Sequence, residues 1–297
     1  MKLNGINPLD NKKTVIIVIG NEKGGAGKTT TTMHLATSLL TLGFKVATID
    51  VDSRQKSLTR YVENRTNTNE KKAGGVLLMP LHFVIPESNS TDLNEKSKEE
   101  EERFNDAINH ATEMDFIVID TPGNNTFLSN LSHAHADIII TPMNDSFVDL
   151  DVLAKVNPDT FAIEKPAHYS QMVWEQKMKR AAKNQESIDW ILLRNRLSNI
   201  DAKNKRNMTE VLNKLSSRIG FRHAPGFSER VIFRELFLQG ITLLDLAAQN
   251  IPLTLSHISA RQELKLFLKA LGLKKIDESL KTSNLFASSY EMEIEEV

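Results

Sequence analysis

Short apolar runs, most of them closed by a polar residue, punctuate the chain at Val15 to Ile19, Lys45 to Asp50, Asp115 to Asp120, Asp137 to Thr141 and Asp189 to Leu193. They lack the in-and-out alternation of a half-exposed sheet and so read as parallel strands covered on both faces. Leu81 to Ile85 is a further candidate strand. Between the runs the period changes to that of a helix. From Thr29 to Leu42 the apolar residues Met33, Leu35, Ala36, Leu39 and Leu40 spread round the whole wheel, which predicts a buried helix ended by Gly43. Phe104, Ile108 and Ala111 give an apolar side to a helix behind Ser88 to Glu102, and a further helix is expected around Val173 to Ala182. Met208, Val211, Leu212, Leu215 and Ile219 form a stripe at helical spacing, Arg230 to Gly240 is amphipathic, and Ser256 to Leu271 reads as a closing helix. Strands alternating with helices predict an α/β fold, a doubly wound and mainly parallel twisted sheet with helices on both faces.

Composition narrows this picture. A chain of 297 residues can bury a large core as one domain, expected over residues 14–276. Residues 1–13 read as a flexible lead-in, and 277–297 as an acidic tail expected to be disordered. The formal net charge is −1, so any nucleic-acid surface must be local. There is no cysteine, which excludes disulfides and cysteine-ligated metal centres. No apolar run approaches the roughly 20 residues that span a bilayer, and a cytoplasmic protein is expected. Glu99 to Glu102, with Asp92 and Glu95, read as a solvated loop and exposed helix turns in preference to an interaction patch. His133 and His135, two apart, cannot share a metal from one helix and read as surface or boundary histidines.

Candidate chemistry begins at Gly20 to Thr30, GNEKGGAGKTT, which follows a strand and opens a helix. Gly24, Gly25 and Gly27, with Ala26 among them, let backbone N–H groups turn inward and cradle anionic oxygens at a helix N-terminus. Lys28 offers a cation to β and γ phosphates, the Thr29 hydroxyl can ligate magnesium, and Thr30 can reach an α-phosphate. The second strand delivers Asp50 and Asp52 to the same edge, where ligands of open parallel sheets sit. Asp120, followed by Thr-Pro-Gly, ends a central strand in the position that binds magnesium directly or through water. Asp52 is suited to orient an attacking water, since phosphoryl transfer needs positioning and charge stabilisation above all. Lys203, Lys205, Arg206, Lys214 and Arg218 decorate the helix of the Met208 stripe, opposed by Asp201 and Glu210. That stripe reads equally as a solvated face or as a surface for phosphate backbone.

The loop departs from the ordinary phosphate-binding pattern at Glu22, and Lys23 opens the glycine run instead. KGGAGKT resembles the deviant loop of the ParA/MinD family of ATPases. IDVDSRQ, IDTPG, TPMNDSFVD, WILLRNR, GFRHAPG and RVIFRELFLQGITLLDL extend the resemblance from about Val15 to about Leu273, toward the MipZ branch that positions the division site. The resemblance implies ATP and Mg2+ as cofactors, Asn195 as adenine ligand, and Lys23 as a residue that crosses to the partner's nucleotide in an ATP-dependent homodimer. It also implies non-specific binding of double-stranded DNA by that dimer, which tips the basic stripe towards DNA. Recruitment by the partition protein ParB near the chromosome origin, inhibition of FtsZ polymerisation, and a nucleoid-associated, pole-enriched location are implied too. The tail lacks the basic amphipathic helix of membrane-bound MinD-type members, so no membrane partner is expected. A partition ATPase of the ParA type and a metabolic P-loop enzyme are the alternatives.

Overall fold

The computed structural model describes residues 7–71, 74–157, 160, 162–183, 185–197, 202–283 and 286, with backbone alone at 202–205. The first apolar run forms β1 (Val15–Ile19) and leads through the glycine loop into α1 (Lys28–Thr41). β2 (Val46–Asp50) is buried throughout and is followed by α2 (Ser57–Lys71), a helix whose mostly polar sequence hid it from periodicity. Its apolar face is only Leu58, Tyr61 and Val62, with Arg65 buried beside them. β3 (Leu81–Val84) precedes α3 (Leu93–His110), which Asp92 caps by accepting from the N–H groups of Asn94 and Glu95. β4 (Phe116–Asp120), α4 (Phe127–His135) and β5 (Ile138–Asn144) follow, then the single turn α5 (Phe147–Leu150). A small antiparallel pair, β6 (Ala154–Val156) and β7 (Ile163–Pro166), leads to α6 (His168–Ala182). The remaining elements are β8 (Asp189–Asn195), α7 (Ala202–Ile219), β9 (Arg222–Ala224), the short α8 (Ile232–Glu235) running into a 3-10 turn at Leu236–Gln239, α9 (Leu255–Ala270) and α10 (Lys274–Thr282).

Seven strands form one parallel sheet in the order β3-β2-β4-β1-β5-β8-β9. Alternate residues of β1 feed opposite cores, as the pleat requires. Val15, Ile17 and Ile19 pack with Leu35 and Leu39 of α1 and with Leu264, Phe267 and Ile276 of α9 and α10. Val18 faces the other way, into the core shared with Phe104, Leu128, Tyr169 and Met208 of α3, α4, α6 and α7. Strand order reverses on either side of β1, so the loop after β1 opens into the crevice where such sheets bind ligands.

Both ends of the chain differ from the sequence-based expectation. The stretch before β1 packs, with Leu9 buried, the Asn7 amide donating to Gly272 O (2.8 Å), and Lys12 paired with Asp137 (2.6 Å). Residues after 276 continue as α10, whose Ile276 and Leu280 enter the core, and Phe286 is buried as well. Charged residues at Lys274, Lys275, Asp277, Glu278 and Lys281 mask its apolar side in the sequence. Residues 284–285 and 287–297 of the expected tail lie outside the described residues.

Candidate nucleotide site

The glycine loop folds back over the start of α1. Gly27 takes φ 90° at the helix N-cap and no side chain caps the helix, so its first N–H groups face the crevice. A Cβ at Gly27 would also lie 2.7 Å from the Asn195 amide nitrogen, so the position needs glycine twice over. Lys28 is buried and donates to Lys23 O at 2.8 Å, closing the loop on itself. Burial pulls its ammonium below the ordinary lysine range, against the charges of Asp120 and Asp52.

The carboxylates converge from neighbouring strands, since Asp50 and Asp120 are register partners on β2 and β4. Asp120 accepts from Thr29 Oγ1 (2.6 Å) and Thr32 Oγ1 (3.1 Å). Burial, helped by the Asp50 charge, pushes its carboxyl up to about 7 against the hydroxyl hydrogen bonds and Lys28. Asp50 accepts from the Asp52 N–H (3.0 Å) and from both N–H (2.9 Å) and hydroxyl (2.8 Å) of Thr59. Asp52 stands at the turn after β2 and accepts from Gln55 N–H at 3.0 Å.

Two cavities share Gly27 and Thr30. The larger, about 670 Å³, lies over the glycine loop and is lined by Lys28, Thr29, Asp52, Thr121 and Gly123 among others. The smaller, about 110 Å³, is lined by Ala26, His34, Asn195 and Phe233 among others. Asn195 donates to Ala26 O (2.8 Å), while its buried Oδ1 has no partner among the described residues. An amide with an unused acceptor at the wall of an aromatic-edged cavity fits a purine amine. Side by side, Thr29 Oγ1 and Asp120 Oδ2 make a hard-oxygen pair that fits magnesium, the ion relieving the cost of an ionised, buried Asp120. The residues present therefore suit a magnesium nucleotide lying across the N-terminus of α1.

Lys23, Gly24, Gly25, Ala26, Gly27, Lys28, Thr29, Thr30, Asp50, Asp52, Asp120 and Asn195 thus gather round one crevice. Lys23 is turned away from the larger cavity, pairing with Asp149 of α5 and donating to Val148 O at 3.1 Å. Asp149, Thr32 and Thr59 escaped the sequence reading because each acts through another residue. The basic positions lie apart from the crevice, on α7. Arg206 is exposed there, Lys214 pairs with Glu210 at 2.7 Å and Arg218 donates to Ile163 O at 3.2 Å. The side chains of Lys203 and Lys205 lie outside the described residues.

Two readings of polar residues need correction. His133 is fully buried beneath the loop, between Ser129 O (2.7 Å) and the Tyr169 hydroxyl (3.2 Å), where a Cβ on Gly20 would strike its ring at 2.2 Å. His135 leans on Phe104. Within the acidic run, Glu100 is buried and accepts from Ser88 N–H at 3.0 Å, because a loop folded over α3 needs an acceptor there.

A parallel sheet with a glycine loop at its reversal point, a hydroxyl–carboxylate pair and a recess walled by Asn195 define a fold built round a phosphate-binding loop. A family model described as ATPase MipZ matches residues 15–275, and the chain belongs to that family. It is similar to the chromosome partitioning protein ParA of Myxococcus xanthus (strain DK1622), 29% identical over 158 residues that make 48% of this chain and 56% of that one. The chain spans about half the length of the curated relatives it matches. Among solved structures it is similar to apo McdA of Cyanothece, with a TM-score of 0.59, 18% identity, and coverage of 87% of this chain and 100% of that one. The septum site-determining protein MinD of Pyrococcus horikoshii OT3, complexed with Mg-ADP, gives 0.54, 19%, 88% and 98%. At these identities the likeness is one of fold.

Proposed function

We propose that the chain is a magnesium-dependent ATPase whose nucleotide state sets its dimerisation, and that it places the division site. One observation carries this reading: Lys28 closes the loop over its own crevice while Lys23 is not used there and is held by Asp149, leaving a second lysine for a second nucleotide. Two triphosphates brought face to face need cations between them. Thr29 and Asp120, with Asp50 behind them, hold the magnesium, Gly24 to Thr30 bind the phosphates and Asn195 the base. The ion, when bound, screens the β and γ oxygens and steadies the leaving group. Asp52 orients the attacking water, and Lys23 leaves Asp149 to reach the partner's nucleotide.

On this reading the ATP dimer binds DNA without sequence preference through α7, is recruited by ParB and restrains FtsZ, working in the cytoplasm on the nucleoid and toward the poles. Family membership supports the positioning role, and the absence of any helix long and apolar enough to cross a membrane among the described residues is compatible with it. Asp52→Ala tests the switch. In Mg-ATP it is expected to bind nucleotide, lose turnover by at least about 10²-fold and accumulate as dimer in light scattering. Normal turnover would sink the role of Asp52. Pelleting of FtsZ polymers with and without the Asp52→Ala dimer separates a division regulator from a partition ATPase, which leaves polymer mass unchanged.

A further inference from the structure

Among the described residues that line the phosphate cavity, the cationic ones are Lys28 and Arg54. Lys28 opens α1, at the end of the loop after β1. Arg54 comes from the turn after β2, two residues past Asp52, and β4 runs between the two strands. At sheet spacing the ends of β1 and β2 are about 10 Å apart, and Thr121 and Gly123, from the end of β4, line the cavity with them. A phosphate chain seated there has a buried cation on one flank and an arginine on the other.

The turn that carries Arg54 is fixed. Asp50 takes the Asp52 N–H and both donors of Thr59, Asp52 Oδ1 takes Gln55 N–H, Asp52 O takes Lys56 N–H (2.8 Å), and Lys56 sits at φ 48°. The Arg54 side chain is free by comparison. It is 76% exposed and its ion pair is with Glu87, at 3.5 Å. An exposed pair of this kind is worth at most about 1 kcal/mol, so a guanidinium on a rigid base can leave it cheaply for a stronger anion. Guanidinium presents forked donors that match phosphate oxygens.

We propose that Arg54 is a catalytic residue of this ATPase, leaving Glu87 to contact the γ-phosphate in the cavity its own turn lines. This rests on the nucleotide-hydrolysis reading. Charge on the equatorial oxygens of the transferring phosphoryl group is met from the β2 side by Arg54 while Asp52, on the same turn, holds the water. Its contact strengthens as that charge develops, so it acts on turnover more than on ATP affinity.

Arg54→Ala is expected to lower kcat about 10²-fold while the Kd for Mg-ATP moves less than about threefold. Trapping by ADP with aluminium fluoride should weaken in parallel, with ADP binding unchanged. Arg54→Lys should recover part of the rate. Arg60→Ala, which removes an exposed charge one turn into α2, should leave kcat unchanged. A mixture of Arg54→Ala with Asp52→Ala should stay inactive, because both groups serve the same cavity. Wild-type kcat in Arg54→Ala, a loss confined to KM, or activity regained in the mixture would each overturn the assignment. No turnover in the unsubstituted protein would overturn the ATPase reading itself, and this one with it.

Discussion

Asp52 lines the phosphate cavity, while Asp149 stands outside it and is tied to the loop through Lys23. Asp149 is almost fully buried, accepts from Asn144 N–H at 3.2 Å and holds the Lys23 ammonium. Any role for Lys23 outside its own subunit requires that pair to break. Asp149→Asn keeps an acceptor for Asn144 and removes the charge, so dimers in Mg-ATP should form at several-fold lower protein concentration. A concentration series in light scattering checks this, and an unchanged midpoint would show that Asp149 does not restrain Lys23. Lys28, Thr29 and Asp120 were legible in the sequence because a strand, a turn and a helix start place them by local rules. Asp149, Thr59 and Thr32 were not. Each is defined by the atom it touches, and Asp149 meets Lys23 only through the fold, across 126 positions.

At the scale of elements, three histidines are packed into the structure in neutral form. His34 on α1, His82 on β3 and His133 on α4 are each drawn down to about 4, in every case chiefly by burial. A folded-state value below the unfolded one means that the unfolded chain takes up protons first on acidification. Their contribution is therefore complete above about pH 6.5 and is lost as pH falls towards 4. Asp120 works in the opposite sense, since its raised carboxyl favours the folded state as pH falls from about 7. Burial raises the Asp50 carboxyl in the same direction, and the three histidines together outweigh these two carboxyls, so the melting temperature should drop between pH 6.5 and 4.5. In His133→Gln the drop should be smaller. An equal drop in both proteins would show that His133 does not supply part of it. The strands were legible as apolar runs, since burial on both faces leaves no other composition. Helix α2 was not, because its packing rests on Arg65, which the pair with Asp245 (2.7 Å) and bonds to Leu78 O and Gly240 O make fit for the interior.

For the whole molecule, a near-neutral chain with five of its 37 lysines and arginines on the single helix α7 has a definite electrostatic consequence if that helix meets nucleic acid. On the proposed reading one copy would present few phosphate contacts, and a dimer would double them in a single binding event. Asp52→Ala in Mg-ATP should bind a random-sequence duplex far more tightly than in Mg-ADP, with a log–log salt slope about twice as steep. Arg206→Glu should flatten that slope. Equal, weak binding in both nucleotides would reduce the α7 stripe to a solvated face. The ion pair of Lys214 and the Ile163 contact of Arg218 lessen what those two can offer.

The packed lead-in and α10 meet at the pole of the sheet where the strands begin. Asn7 bonds Gly272 O, Asp10 accepts from Lys274 N–H (2.6 Å), and the Lys275 ammonium lies 4.1 Å from the centre of the Phe116 ring, at the first residue of β4. The crevice opens at the opposite pole. A fluorescent label attached at the lead-in or at α10 therefore sits on the side away from the crevice, where it leaves the glycine loop and its carboxylates uncovered.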